Sequence, residues 1–115
     1  MQSNETGERF SQLFEWMSDN LASDLRVEAL AEQVNMSPRN FARVFSEETG
    51  KTPAKAVEAM RIEAARIMLE ETELPIKEVS TRCGFADDER MRRAFARTLH
   101  AAPHDYRLRF RKLAV

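Results

Sequence analysis

Apolar residues along this chain fall three or four apart, with polar residues between them, in seven stretches separated by Pro, Gly, Ser and Asn. From Glu8 to Leu21 the set Phe10, Leu13, Phe14, Met17 and Leu21 forms one helical stripe. Val27–Val34 predicts a short helix with Leu30, Ala31 and Val34 inward, broken by Asn35-Met36-Ser37. Ser37-Pro38 pairs an N-cap with a proline at the first helical position, where its missing N–H costs nothing. That third helix, about residues 38–48, turns Phe41, Val44 and Phe45 inward and stops at Gly50, a C-cap residue. Thr52-Pro53 opens a long fourth helix to about Glu71, with Val57, Met60, Ala64, Ile67 and Met68 as its inward stripe. After Leu74-Pro75, Ile76, Val79 and Cys83 line a short fifth helix that ends at Gly84. Asp87 caps a sixth, about residues 88–99, with Met91, Ala94, Phe95 and Leu99 inward, and Pro103 starts a seventh with Tyr106 and Phe110 inward. No useful stretch alternates with period two, so the fold class is all-α with about seven helices. Residues 1–7 hold no apolar residue beyond Met1 and are expected as a disordered tail.

The chain also repeats itself. At an offset of 49, Val27 matches Ile76, Leu30 matches Val79, Val34 matches Cys83 and Met36 matches Phe85. After the turn the offset becomes 50, and Ser37 matches Asp87, Phe41 matches Met91, Arg43 matches Arg93, Phe45 matches Phe95 and Pro53 matches Pro103. The unit is a short helix, a tight turn and a longer helix with a polar outer face. Ala31, fifth from Val27, is the small residue that two steeply crossing helices require. The ninth position is Asn35 in one copy and Gly84 in the other, residue types that tolerate a left-handed turn. This is the pattern of a helix-turn-helix. It divides the chain into residues 8–50, a first helix-turn-helix subdomain, residues 51–73, a connecting helix, and residues 74–115, a second subdomain. The 18 residues from 54 to 71 would span about 27 Å, suited to two reading heads on a duplex that advances roughly 34 Å per turn.

Net charge is −1, which argues against a nucleic-acid partner until its distribution is considered. Residues 1–34 carry 2 basic and 7 acidic side chains, whereas residues 84–115 carry 8 basic and 4 acidic. Association follows the local field of a face rather than the chain sum. With 115 residues, 32% charged and 43% hydrophobic, the chain has the composition of a small globular protein. One cysteine excludes an internal disulfide and a Cys-rich metal site, which points to a reducing, cytoplasmic compartment. No apolar run reaches the ~18 residues of a membrane span, and the polar N-terminus is not that of a signal peptide.

The strings LAEQVNMSPRNFARVFSEETGKTP and AARIMLEETELPIKEVSTRCGFADDERMRRAFARTLHAAPHDYR resemble the C-terminal DNA-binding domain of AraC/XylS-type bacterial transcription regulators, over about residues 8–112. MSPRNFARVF and GFADDERMRRAF are most similar to regulators that carry an N-terminal DJ-1/PfpI-like sensor domain. Two departures stand out. His100 occupies the place where a glycine usually ends the second recognition helix, which predicts a different C-cap. Acidic Asp87-Asp88-Glu89 replaces the usual small polar opening of that helix. The resemblance implies double-stranded DNA as partner, with RNA polymerase and an N-terminal effector-sensing domain outside this chain as further candidates. It implies no cofactor and no enzymatic activity.

A helix in the major groove must present side chains that reach base edges or phosphates from its outer face. The outward residues are Arg39, Asn40, Ala42, Arg43 and Ser46 on the first such helix, and Glu89, Arg90, Arg92, Arg93, Ala96 and Arg97 on the second. By resemblance, Arg39, Ala42, Arg43, Glu89, Arg90, Arg92 and Arg93 match positions that face bases or nearby phosphates. An arginine on an amphipathic helix is commonly no more than solvated surface. What singles out Arg43 and Arg93 is their equivalent place in the two repeats. Glu89 reads equally as a charge favoured by the helix dipole and as a cytosine reader. The rival reading is an all-α interaction module that binds RNA polymerase or a sensor domain through the same basic faces. Enzyme chemistry has no support. Cys83 sits at a core position, His100 and His104 are separated by a helix start at Pro103, and no phosphate loop or nucleophile motif occurs.

Overall fold

In the computed structural model, which describes residues 2–114 and the side chains of residues 7–111, the helices are α1 (Gln2–Asp19), α2 (Val27–Gln33), α3 (Pro38–Thr49), α4 (Pro53–Glu71), α5 (Ile76–Arg82), α6 (Asp88–Leu99) and α7 (Pro103–Ala114). Among the described residues there is no strand. The chain divides into two compact units, residues 1–57 and 58–115. Residues 2–7, expected as a loose tail, belong to α1. Polar residues such as Gln, Asn and Glu extend a helix without an apolar stripe of their own, which is why periodicity missed them. Met1 lies outside the described residues.

In unit 1, α1 contributes Phe10, Leu13 and Met17, α2 contributes Leu30 and Ala31, α3 contributes Phe41 and Phe45, and the start of α4 contributes Ala56 and Val57, all buried with Leu25 and Val34. Phe45 stands at the centre of an aromatic cluster, with ring centroids 5.4 Å from Phe10, 5.8 Å from Phe14 and 5.4 Å from Phe41. Tilted and edge-on pairs at such distances add about 0.5–1.5 kcal/mol each beyond burial. Leu25 lies in the loop after α1, which also holds Leu21 and Ala22, and was not expected in the core. Val44 is only half-buried.

Unit 2 buries Ile62, Ala65, Leu69, Val79, Cys83, Met91, Ala94 and Phe95, with Met68 and Tyr106 packed on them. The inward stripe of α4 therefore differs from the expected one: Ile67 is 40% exposed, and Ala64 and Met68 are half-buried. Residues 54–69 of α4 are apolar on several faces, so two stripes satisfy the helical spacing, and packing selects Ile62, Ala65 and Leu69. Phe110 is likewise an exposed residue, beside Leu108. Helix α7 docks instead through polar groups that close the C-terminal end of α4. Arg107 donates from Nε to the Leu69 carbonyl at 3.1 Å and from Nη1 to the Leu74 carbonyl at 2.7 Å, and Arg111 Nη2 reaches the Thr72 carbonyl at 2.8 Å. The Tyr106 hydroxyl donates to Glu70, which together with Glu63 also holds Arg66.

The repeat survives down to single backbone bonds. Met36 N–H donates to the Ala31 carbonyl and Phe85 N–H to the Ser80 carbonyl, each at 3.0 Å. Asn35 N–H donates to Glu32 and Gly84 N–H to Thr81, each at 3.2 Å. Asn35 and Gly84 adopt φ of 56° and 87°. Ala31 and Ser80, both 1% exposed, are the small residues at the helix crossing.

Candidate nucleic-acid interface

The second helix of each repeat is started by a side-chain cap. Ser37 Oγ accepts the Asn40 N–H at 3.2 Å, and the Asp87 carboxylate accepts the Arg90 N–H at 2.8 Å. These caps satisfy one of the free N–H groups of each first turn. With the start fixed, burial of Phe41 and Phe45 in α3, and of Met91, Ala94 and Phe95 in α6, decides which residues point out. Arg39, Asn40 and Arg43 are exposed on α3, whereas Ala42 and Ser46 are half-buried. Glu89, Arg90, Arg92, Arg93, Ala96 and Arg97 are all exposed on α6.

The two outer faces differ in charge. Helix α3 carries Arg39 and Arg43 against Glu47 and Glu48, a balance of zero. Helix α6 carries Arg90, Arg92, Arg93 and Arg97 against Asp88 and Glu89, a balance of +2. Three of the four α6 arginines are held by carboxylates. Glu89 accepts Arg92 Nε at 2.8 Å and Nη2 at 2.6 Å, and Arg93 Nε at 3.2 Å. These bonds, those from Arg92 foremost, hold the Glu89 carboxyl down to about 2. Arg97 Nη2 pairs with Glu58 at 2.8 Å, within unit 2. On α3, Arg43 donates to Asn40 Oδ1 at 2.7 Å and pairs with Glu47 at 3.2 Å. Among the described residues Arg39 and Arg90 show no ion pair. The sequence reading missed Glu47 and Glu58 as partners. The i,i+4 spacing of Arg43 and Glu47 is a readable signal, but nothing in the sequence links Arg97 to Glu58, 39 positions away.

The predicted change of C-cap at His100 does not occur. His100 takes φ 57° and ψ 33° and donates its N–H to Ala96, as Gly50 does at φ 76° with Ser46. Cys83 is fully buried, with its thiol 3.7 Å from Met68 Sδ, and burial pushes the thiol up to about 11. A surface cleft in unit 1 is lined by Arg9, Gln12, Leu13, Trp16, Gln33, Val34 and Asn35, which puts Trp16 on its wall. Among the described residues no three His, Cys, Asp or Glu side chains gather into a metal-binding group, and no helix is long and apolar enough to cross a membrane.

Solved structures share this arrangement. The DNA-binding domain of AdpA, solved in complex with a target DNA, superposes with a TM-score of 0.85 and 32% identity, over 89% of this chain and 92% of that one. A regulator from Chromobacterium violaceum with an AraC-type DNA-binding domain has the same fold, with a TM-score of 0.82 at 21% identity over 93% of this chain and 96% of that one. Residues 30–109 match the family described as "Helix-turn-helix domain". The chain belongs to the AraC-type helix-turn-helix family. Within that family it is 47% identical, over 85 residues, to the HTH-type transcriptional regulator Rv1931c of Mycobacterium tuberculosis, a match to 74% of this chain and 33% of that protein. It is 31% identical over 99 residues to the HTH-type transcriptional activator RhaS of Escherichia coli, a match to 86% of this chain and 36% of that protein. This AraC-type chain thus spans about a third of the curated relatives it matches.

Proposed function

We propose that this chain is a sequence-specific double-stranded DNA-binding domain of a bacterial transcription regulator, reading its site with α3 and α6 in successive major-groove segments. The observation that carries the reading is the equivalent outward placement of Arg43 and Arg93 on the second helix of two repeats that share the same turn hydrogen bonds. A neighbour of the same fold at 32% identity, solved on its target DNA, supports it. The contact residues in this reading are Arg39, Asn40, Ala42 and Arg43 from α3, and Glu89, Arg90, Arg92, Arg93 and Arg97 from α6. It acts by binding, without catalysis, in the bacterial cytoplasm. RNA polymerase and an effector-sensing domain N-terminal to this segment complete the proposed partners. Because one chain carries both reading helices and they differ in sequence, it binds as a monomer to an asymmetric site.

The test is selection of bound duplexes from a random pool, followed by binding of Arg43→Ala and Arg93→Ala to the selected site and to versions scrambled in either half. Each variant stays within about 0.5 kcal/mol of the parent stability, since both side chains are exposed. Each loses discrimination in one half only, by roughly 1–3 kcal/mol for a bidentate base contact. Affinity falls with salt at a log–log slope near −0.9 per phosphate contact. Affinity independent of salt and duplex sequence would favour the protein-interaction reading instead.

A further inference from the structure

Helix α6 presents an unusual local economy of charge. One exposed carboxylate, Glu89, holds two of the arginines on the outward face, with three contacts between 2.6 and 3.2 Å. A carboxylate offers the same paired oxygens as a phosphate, and an arginine fork engages either in the same geometry. Arg92 and Arg93 therefore reach α6's outer surface already engaged by an internal phosphate mimic. The first repeat lacks this device at the same place: the residue equivalent to Glu89 is Arg39, a further cation.

We infer that Glu89 is a specificity-determining residue of this interface, an internal competitor that restrains Arg92 and Arg93 from the phosphate backbone and releases them only where a base amino group donates to its carboxylate. The inference rests on the DNA-binding reading above. Its physical logic is one of exchange. When either arginine moves to a phosphate, Glu89 loses a donor and is left in the negative potential of the duplex. On an arbitrary sequence nothing replaces that donor. Where a cytosine N4 amine or an adenine N6 amine faces α6, the carboxylate gains a new partner and the exchange is compensated. The sequence-independent attraction of the arginines is thereby damped, and the sequence-dependent part is kept. The Glu89 carboxyl, held down to about 2 by its bonds from Arg92 and Arg93, stays charged at any working pH.

Asp88 supplies the control, because it is exposed in the same first turn, carries the same charge, and engages none of these arginines. Parent, Glu89→Gln and Asp88→Asn forms of the full chain are titrated by fluorescence anisotropy against a labelled random-sequence duplex three helical turns long, and against the site selected from the random pool, over a range of salt. Glu89→Gln should bind the random duplex about fivefold more tightly per arginine released at physiological salt, with a salt slope steeper by about 0.9 for each. Its preference for the selected site over the random duplex should fall correspondingly. Asp88→Asn should show only the smaller gain of a removed charge, with slope and preference nearly unchanged. Equal effects of the two substitutions on slope and preference would overturn the inference and leave the DNA-binding reading intact. Absence of salt-dependent duplex binding in the parent would overturn both.

Discussion

In unit 1 the helices are held by rings, whereas in unit 2 they are held by aliphatic and sulfur-bearing side chains together with a polar clamp. The backbone template is the same. Both units turn through a left-handed ninth residue, both cross at a small side chain, and both bury a phenylalanine at the end of the repeat, Phe45 and Phe95, at 0% exposure. The chemistry laid on that template diverges. Phe41 of unit 1 is Met91 in unit 2, Val34 is Cys83, and Val57 is Arg107. A helix-turn-helix backbone thus constrains the size of its core residues and the sign of φ at its turn far more than it constrains which interactions fill the space. The outer faces diverge in the same way, with Arg39 in one repeat where the other has Glu89.

The largest effect that separates the units is expected at the matched phenylalanines. Removing a buried ring costs roughly 3–5 kcal/mol. Among the described residues Phe45 meets three other rings and Phe95 meets Tyr106 alone, at 6.0 Å. Phe45→Ala should therefore sit near the upper end of that range and Phe95→Ala near the lower, a gap of about 1–2 kcal/mol from the lost ring pairs. The chain reports on this itself, since its one tryptophan, Trp16, lies in unit 1 and its one tyrosine, Tyr106, in unit 2. Denaturant melts followed through each fluorophore assign the loss to a unit. A loss at Phe95 as large as that at Phe45 would mean that the ring cluster adds nothing beyond buried area.

The polar clamp gives the second contrast. Arg107 serves two carbonyls at the end of α4 and leaves its buried Nη2 without a partner. Hydrogen bonds from a charged donor are worth about 1.5–3 kcal/mol, and loss of the buried unpaired Nη2 offsets part of their removal. Arg107→Met should destabilise unit 2 by about 1.5 kcal/mol as read through Tyr106, and leave the Trp16 melt unchanged. In unit 1 the equivalent position is already Val57, buried among apolar neighbours. A loss below about 0.5 kcal/mol at Arg107 would show that Arg111 and Tyr106 close the end of α4 without it.

These contrasts also mark what the sequence could reveal. The helices and their caps at Ser37 and Asp87 were legible because each is written in residues at most a few positions apart, and the repeat because one such short unit recurs at an offset of 49 to 50. The phase of α4 was not, because apolar residues cover several of its faces and only the surrounding helices choose among them. Leu25 lies in a loop, with no helical period to announce its burial. Arg107 reaches carbonyls 33 and 38 positions back, and Arg97 pairs with Glu58 across 39. Contacts of that range leave no local pattern. The outward arginines were legible as positions, since they are what remains when the buried face is subtracted. Their engagement by Glu89 and Glu47 follows i,i+3 and i,i+4 spacing and could have been read beforehand.

The smallest expected effect tests the two C-caps. Gly50 and His100 end α3 and α6 with the same left-handed backbone and the same N–H bond to the residue four back. For a residue with a Cβ that conformation costs about 1–2 kcal/mol, which glycine avoids. Glycine in turn makes the unfolded chain freer, which returns roughly 0.5–1 kcal/mol. The balance predicts that Gly50→Ala destabilises unit 1 by up to about 1 kcal/mol, entirely through the backbone, because nothing lies within 4 Å of the added Cβ. His100→Gly should do the opposite in unit 2 and stabilise it by up to about 1 kcal/mol. Both are read as midpoint shifts at constant slope in denaturant melts, through Trp16 and Tyr106 respectively. The two substitutions are mirror images of one backbone cost, so their shifts should be opposite in sign and similar in size. A destabilising His100→Gly would show that the imidazole makes a contact worth more than the strain it imposes, and that the second cap depends on its side chain where the first depends on having none.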